Sequence, residues 1–110
     1  MNEKTVPSDT GISDRAPLPC PEMGDIRAEI DRIDARLVQL LRDRLDMIEA
    51  AAKVKPQRNQ VRDDARIDEV LALVRAEADK HNLPADMAAK LWTMLIEMSI
   101  AHELEKFDNR

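Results

Sequence analysis

The chain has 110 residues and a formal charge of −5, with 44% hydrophobic, 35% charged and only 2% aromatic side chains. That length caps the chain at one domain, and two glycines with no tyrosine argue against an all-β fold, which needs glycine at its turns and aromatic residues in its strands. No glycine-rich loop offers a Rossmann or P-loop phosphate site, and an acidic balance argues against a nucleic-acid partner, which calls for a basic face.

Cys20 is the single cysteine, so no internal disulfide is possible. With His81 and His102 as the remaining candidate ligands, a structural zinc site is not expected, because zinc takes about four ligands. No cofactor is expected either. No run approaches 18 apolar residues, and residues 1–25 lack the apolar core of a secretion signal. The expectation is a cytoplasmic protein with no membrane partner.

Residues 1–25 hold both glycines and four of the six prolines (Pro7, Pro17, Pro19, Pro21) without periodicity, which predicts a disordered tail. The remainder, 26–110, contains no glycine and predicts an all-α domain of three helices. Asp25 is the expected N-cap of the first. Ile26, Ile30, Ile33, Leu37, Leu40, Leu41, Leu45, Ile48 and Ala52 then recur at spacings of three and four. Pro56 ends that helix, and Gln57–Arg62 is a polar loop. The second helix starts near Asp63 or Asp64, carries Ile67, Val70, Leu71, Val74 and Ala78, and ends around His81. Pro84 suits the first turn of the third, which carries Leu91, Trp92, Leu95, Met98 and Ile100 towards Phe107.

A first helix of roughly 30 residues is about 45 Å long, whereas a globule of this size has a diameter near 30 Å. Part of the apolar stripe therefore needs cover from another chain, and the expectation is a homodimer with the long helices packed together. At about 100° per residue, Arg44 points about 0° from Ile26 and Lys55 about 20°, both inside the stripe. Asp43 and Glu49 lie more nearly on the opposite face. Cations in an apolar stripe must be paired with anions or have their stems snorkel to water. Two structural salt bridges and a pocket for an anionic ligand both satisfy that requirement.

The stretch Ile26-Arg27-Ala28-Glu29-Ile30-Asp31-Arg32-Ile33-Asp34, followed by Leu40-Leu41, Arg44, Lys55, Val61-Arg62-Asp63 and Arg66, resembles the all-helical chorismate mutase family. Leu95-Ile96-Glu97-Met98-Ser99 and Glu103 resemble its third helix. The resemblance covers residues 26–107. It implies an intertwined dimer with two sites built from both chains, where chorismate, a dicarboxylate, rearranges to prephenate without nucleophile or metal. Such an enzyme holds the reactive conformer and stabilises charge on the breaking ether bond.

By position, Arg27 would reach the partner's site, and Arg44 with Arg27 would clamp the carboxylates, as planar forks do. Lys55 and Glu103 would face the ether oxygen, with Glu103 protonated in the active form. Asp63 would bind the substrate hydroxyl, and Arg66 and Ser99 would complete the pocket. Bland alternatives are an exposed first-turn residue for Arg27, a surface charge for Arg66 and a packing residue for Ser99. His81 is expected at a helix end and His102 in packing or at the surface.

Two positions depart from the family pattern. Ile67 stands where many members have Glu, an apolar choice shared with isochorismate pyruvate lyases, and Glu103 stands where Gln is common. The loop from Lys55 to Arg66 is also one residue shorter than usual. The alternatives are therefore a lyase on isochorismate, a mutase for an amino-substituted chorismate, or a non-catalytic helical dimer. Sedimentation should give a dimer near 25 kDa, twice the 12.5 kDa chain, with helicity and activity lost together on dilution. An active, well-folded monomer would contradict the reasoning from helix length.

Overall fold

Apolar spacings of three and four, with no glycine after Gly24, favour helix throughout residues 26–110. The computed structural model describes residues 22–110 and shows α1 (Met23–Val54), a 3₁₀ turn (Arg58–Gln60), α2 (Asp64–Lys80) and α3 (Ala85–Asp108). The all-α expectation holds, and no strand occurs among the described residues.

α1 has 32 residues and starts before the predicted boundary. Asp25 is not its N-cap. It lies inside the first turn, where a carboxylate complements the positive end of the helix dipole, and the Ile26 N–H bonds the Glu22 carbonyl at 3.0 Å. Residues 23–25 of the predicted tail are thus helical. The rest of that prediction, with Cys20 and the four prolines, lies outside the described residues apart from Glu22. At the other end the helix stops at Val54, one residue before the sequence suggests, although the Lys55 N–H still reaches the Ala51 carbonyl at 3.0 Å.

The described chain divides into two compact units, one ending at Leu41 and the other spanning Arg42–Arg110. The first contains the opening turns of α1. Ile30, Leu37, Val38, Leu40 and Leu41 are all exposed there, although the periodicity marks most of them as core. In the second unit α2 packs on α3. Its core is made of small side chains: Ala52, Val61, Ala78, Ala88, Ala89 and Ile96. Leu91 and Met98, two of the apolar residues that mark the third helix in the sequence, are exposed.

The helix ends follow local chemistry. Asp63 caps α2, its Oδ1 accepting the Arg66 N–H at 3.1 Å. His81 closes α2, and Asn82 takes a left-handed φ of 56°, a conformation asparagine tolerates better than most residues. The Leu83 N–H then bonds the Ala78 carbonyl at 2.9 Å. Pro84 occupies the N-cap of α3. The predicted polar loop contains the 3₁₀ turn and, unexpectedly, the buried Val61.

Asp63→Ala should destabilise the protein by about 1 kcal/mol in chemical denaturation, the usual cost of a lost N-cap. Asp63→Asn, an equally good cap, should restore that loss. An alanine variant of unchanged stability would show that the cap contributes nothing.

Candidate active site

The inward face of α3 carries Ala88, Ala89, Ile96, Ser99 and Glu103. These positions repeat at helical spacing, yet the last two are polar. Ser99 is 6% exposed and Glu103 is 4% exposed. Polar groups so placed need partners, and α1 with its extension supplies both. The Arg44 Nη1 donates to Ser99 Oγ at 2.7 Å, and that hydroxyl donates onward to the Leu95 carbonyl at 2.7 Å. The Lys55 Nζ lies 2.7 Å from Glu103 Oε2 and donates to the Val61 carbonyl at 3.4 Å.

Partner numbers rise together along the two elements, so this part of α1 runs parallel to α3. Arg44 and Lys55 are about 16 Å apart along the chain axis, whereas Ser99 and Glu103 are one turn apart, about 6 Å. The two long side chains therefore lean towards each other, and their cationic heads converge on one turn of α3.

Those heads differ in what neutralises them. Lys55 is ion-paired, although it lies off the line of a hydrogen bond, so Glu103 Oε2 is a buried oxygen that accepts none. Arg44 has no carboxylate within ion-pair distance among the described residues. Its only described side-chain partner is the neutral Ser99 hydroxyl, and burial pulls its pKa below the ordinary arginine value. Most other arginines of this unit are matched, Arg42 with Asp46, Arg58 with Asp108, Arg62 with Glu97 and Arg75 with Asp86, while Arg110 donates to backbone carbonyls. Arg44 is thus a half-buried cation with a vacant anionic side.

The connector between α1 and α2 borders this region. An open cleft of about 610 Å³ is lined by Lys55, Pro56, Asn59, Gln60, Arg62 and Asp63, among others. Asp63 therefore faces the same cleft as Lys55, with Oδ1 engaged as the α2 cap. Arg62 grips Glu97 with both Nη atoms, at 3.1 and 2.8 Å, and holds that carboxyl below the ordinary glutamate pKa.

Arg66 is not brought to the cluster. Its side chain is exposed and pairs with Glu69 at 2.7 Å, one turn along α2. Arg27 is exposed and belongs to the first unit. Of the seven residues singled out by sequence, Arg44, Lys55, Ser99 and Glu103 form the cluster, and Asp63 lines the adjoining cleft.

Helical projection placed Glu49 towards solvent. Instead Glu49 is half-buried, its Oε2 2.7 Å from His102 Nε2 and 3.4 Å from Arg42. The His102 hydrogen bond holds the Glu49 carboxyl below its ordinary pKa. The reason is that α3 lies across that side of α1, which a projection of one helix cannot reveal. His81 sits at a helix end as expected, 3.0 Å from Glu77. The Glu49–His102 pair left one sequence signal: His102 is three residues beyond Ser99 and adjacent to Glu103.

Residues 26–104 match the family described as Chorismate mutase type II. The chain is 30% identical over 91 residues to the isochorismate pyruvate lyase of Pseudomonas aeruginosa, covering 83% of this chain and 90% of that protein. It is 33% identical over 87 residues to a bifunctional chorismate mutase/prephenate dehydratase of Buchnera aphidicola, covering 76% of this chain but 23% of that protein. The T-protein of Haemophilus influenzae is 32% identical over 80 residues, 72% of this chain and 21% of its own length.

Lys55 and Arg44 should respond oppositely to removal. A stability unchanged by losing either cation would follow if the site only concentrated like charges, but Lys55 neutralises the buried Glu103. Lys55→Ala should therefore cost about 1–3 kcal/mol of folding stability, the penalty for stranding a buried polar group. Arg44→Met, which removes a desolvated cation without stranding a carboxylate, should be neutral or stabilising. Denaturation midpoints of the two variants check the contrast.

Proposed function

The chain belongs to the chorismate mutase type II family, and on that premise we propose that it catalyses the rearrangement of chorismate to prephenate. The observation that carries this reading is Arg44: a half-buried guanidinium bonded to a neutral hydroxyl, with no carboxylate partner among the described residues. A substrate carboxylate supplies the missing anion, and the planar fork suits it. Lys55 converges from the other side, 2.7 Å from Glu103.

The rearrangement is unimolecular, so the residues act by holding the folded conformer and meeting the charge that develops. In this reading Lys55 turns from Glu103 to the ether oxygen as the substrate enters. Glu103, released from that ion pair, is the second candidate group beside the same oxygen. Asp63 binds the ring hydroxyl from the cleft. Arg66 and a partner chain's Arg27 are the remaining candidate contacts, the latter requiring a homodimer with shared sites. The exposed Ile30, Leu37, Leu40 and Leu41 support that assembly, because so much apolar surface on one helix calls for cover.

A second reading, pyruvate elimination from isochorismate, draws on one residue and one relative. Ile67 is half-buried near the start of α2, where it offers no polar contact to a substrate hydroxyl. The lyase relative is matched over 90% of its length. Incubation with chorismate and isochorismate separately, followed by assays for prephenate, salicylate and pyruvate, decides between the readings. Absence of all three products would leave a non-catalytic helical protein.

Arg44→Ala and Lys55→Ala should each lose about 2–4 kcal/mol in kcat/KM, the scale for a key electrostatic donor. Mixing Arg27→Ala with Lys55→Ala subunits should restore activity, since one heterodimer site then keeps both residues. Glu103→Gln keeps a hydrogen-bond donor at this position and should retain activity, whereas Glu103→Ala should lose it. An alanine variant as active as wild type would assign the ether oxygen to Lys55 alone.

A further inference from the structure

α1 ends under an unusual constraint. Helices often terminate on a glycine in the left-handed conformation, which recovers the last carbonyls, but no glycine follows Gly24. Pro56 then stands four residues after Ala52, where an N–H would bond the Ala52 carbonyl. Proline has none. Ala52 is 1% exposed, so water gives little help, and its carbonyl needs a donor from elsewhere.

That donor is Arg110, two residues beyond α3. Its Nη1 donates to the Ala52 carbonyl at 3.1 Å and to the Lys55 carbonyl at 2.6 Å, and Nη2 lies 3.5 Å from the Pro56 carbonyl. The guanidinium rests on the Phe107 ring, 3.6 Å from its centroid, a cation–π contact that fixes the fork's plane. Lys55 is consequently held at both ends from one segment. Arg110 holds its carbonyl, and Glu103, seven residues earlier, holds its Nζ.

We propose that Arg110 is a positioning residue for Lys55, replacing the hydrogen bond that Pro56 removes and so fixing the base from which the Lys55 ammonium is aimed. Its effect on turnover rests on the function proposed above; its effect on Lys55 does not. With the guanidinium absent, the end of α1 frays and Lys55 leaves Glu103 more often. A lysine at 110 keeps the charge and a stem over Phe107 but has no fork to span two carbonyls.

The test compares the wild-type chain, Arg110→Ala and Arg110→Lys, each verified as folded by circular dichroism at the assay temperature. Trace acetic anhydride labelling, quantified for each lysine by mass spectrometry, reads how firmly each amine is held. In the wild type Lys55 should label several-fold less than the exposed Lys53, Lys80 and Lys90. Arg110→Ala should raise Lys55 labelling at least threefold with Lys80 and Lys90 unchanged, and lower kcat about tenfold with KM within a factor of two. Arg110→Lys should fall between, and it decides alone if the alanine variant does not fold.

Unchanged Lys55 labelling in a folded variant, or a lysine variant matching wild type in both readouts, overturns the proposal. If no chain turns over either substrate but Lys55 labelling rises selectively, the positioning role stands and the functional reading falls. If the wild type is active and Arg110→Ala equals it in labelling and kcat, the functional reading stands and the positioning role falls.

Discussion

A carboxylate 4% exposed on the inward face of a helix needs a cation beside it. Glu103 sets this condition, and much of the second unit can be understood from it. α1 must deliver Lys55 to the level of Glu103, which requires the helix to continue to Val54 and stop there. Pro56 provides the stop, and the connector that follows folds back so that the Val61 carbonyl also accepts from Lys55. The buried Val61 anchors that return, and Arg62 secures it to Glu97 on α3.

Arg44 lies under a related constraint that the described residues leave open. Ser99 gives it one neutral hydrogen bond, and burial makes the charge more costly than on an open surface. Two cations thus approach one turn of α3, one neutralised from within and one not. This asymmetry suits a pocket whose ligand brings a negative charge, because the cost of desolvating Arg44 is met before the ligand arrives. The Glu49–His102 hydrogen bond joins α1 and α3 between these two points, keeping the elements in register where the cations reach across.

The rest of the packing is correspondingly modest. Alanines dominate the core of the second unit, allowing helices to approach closely while contributing little apolar area each. Larger side chains such as Met94 and Met98 on α3 and Leu73 on α2 remain exposed. Local devices therefore matter at the helix ends: an aspartate cap for α2, a left-handed asparagine after it, and an arginine from beyond α3 for α1. The aspartate satisfies donors at a helix start in the usual way, whereas the asparagine and the arginine serve helix ends where no glycine follows Gly24.

The sequence by itself determined three helices, because period and punctuation are local: apolar spacing, an aspartate near the start of α2, Pro56 and Pro84 as boundaries. It also placed Arg44 within the apolar stripe of the first helix and Lys55 in line with it, just past the end of α1 in the structure, since a helix fixes direction by residue number alone. The residues quoted for the family resemblance marked Ser99 and Glu103 as well, although hydropathy would have assigned both to solvent. Only the tertiary structure decided that Lys55 has an internal counter-ion while Arg44 has none among the described residues, that Arg66 pairs outward with Glu69, and that Glu49 turns to His102. It alone brought Arg110 to the end of α1, a contact across 55 residues of chain to Lys55. These are questions of which helix covers which face, and a single helix carries no record of its neighbours.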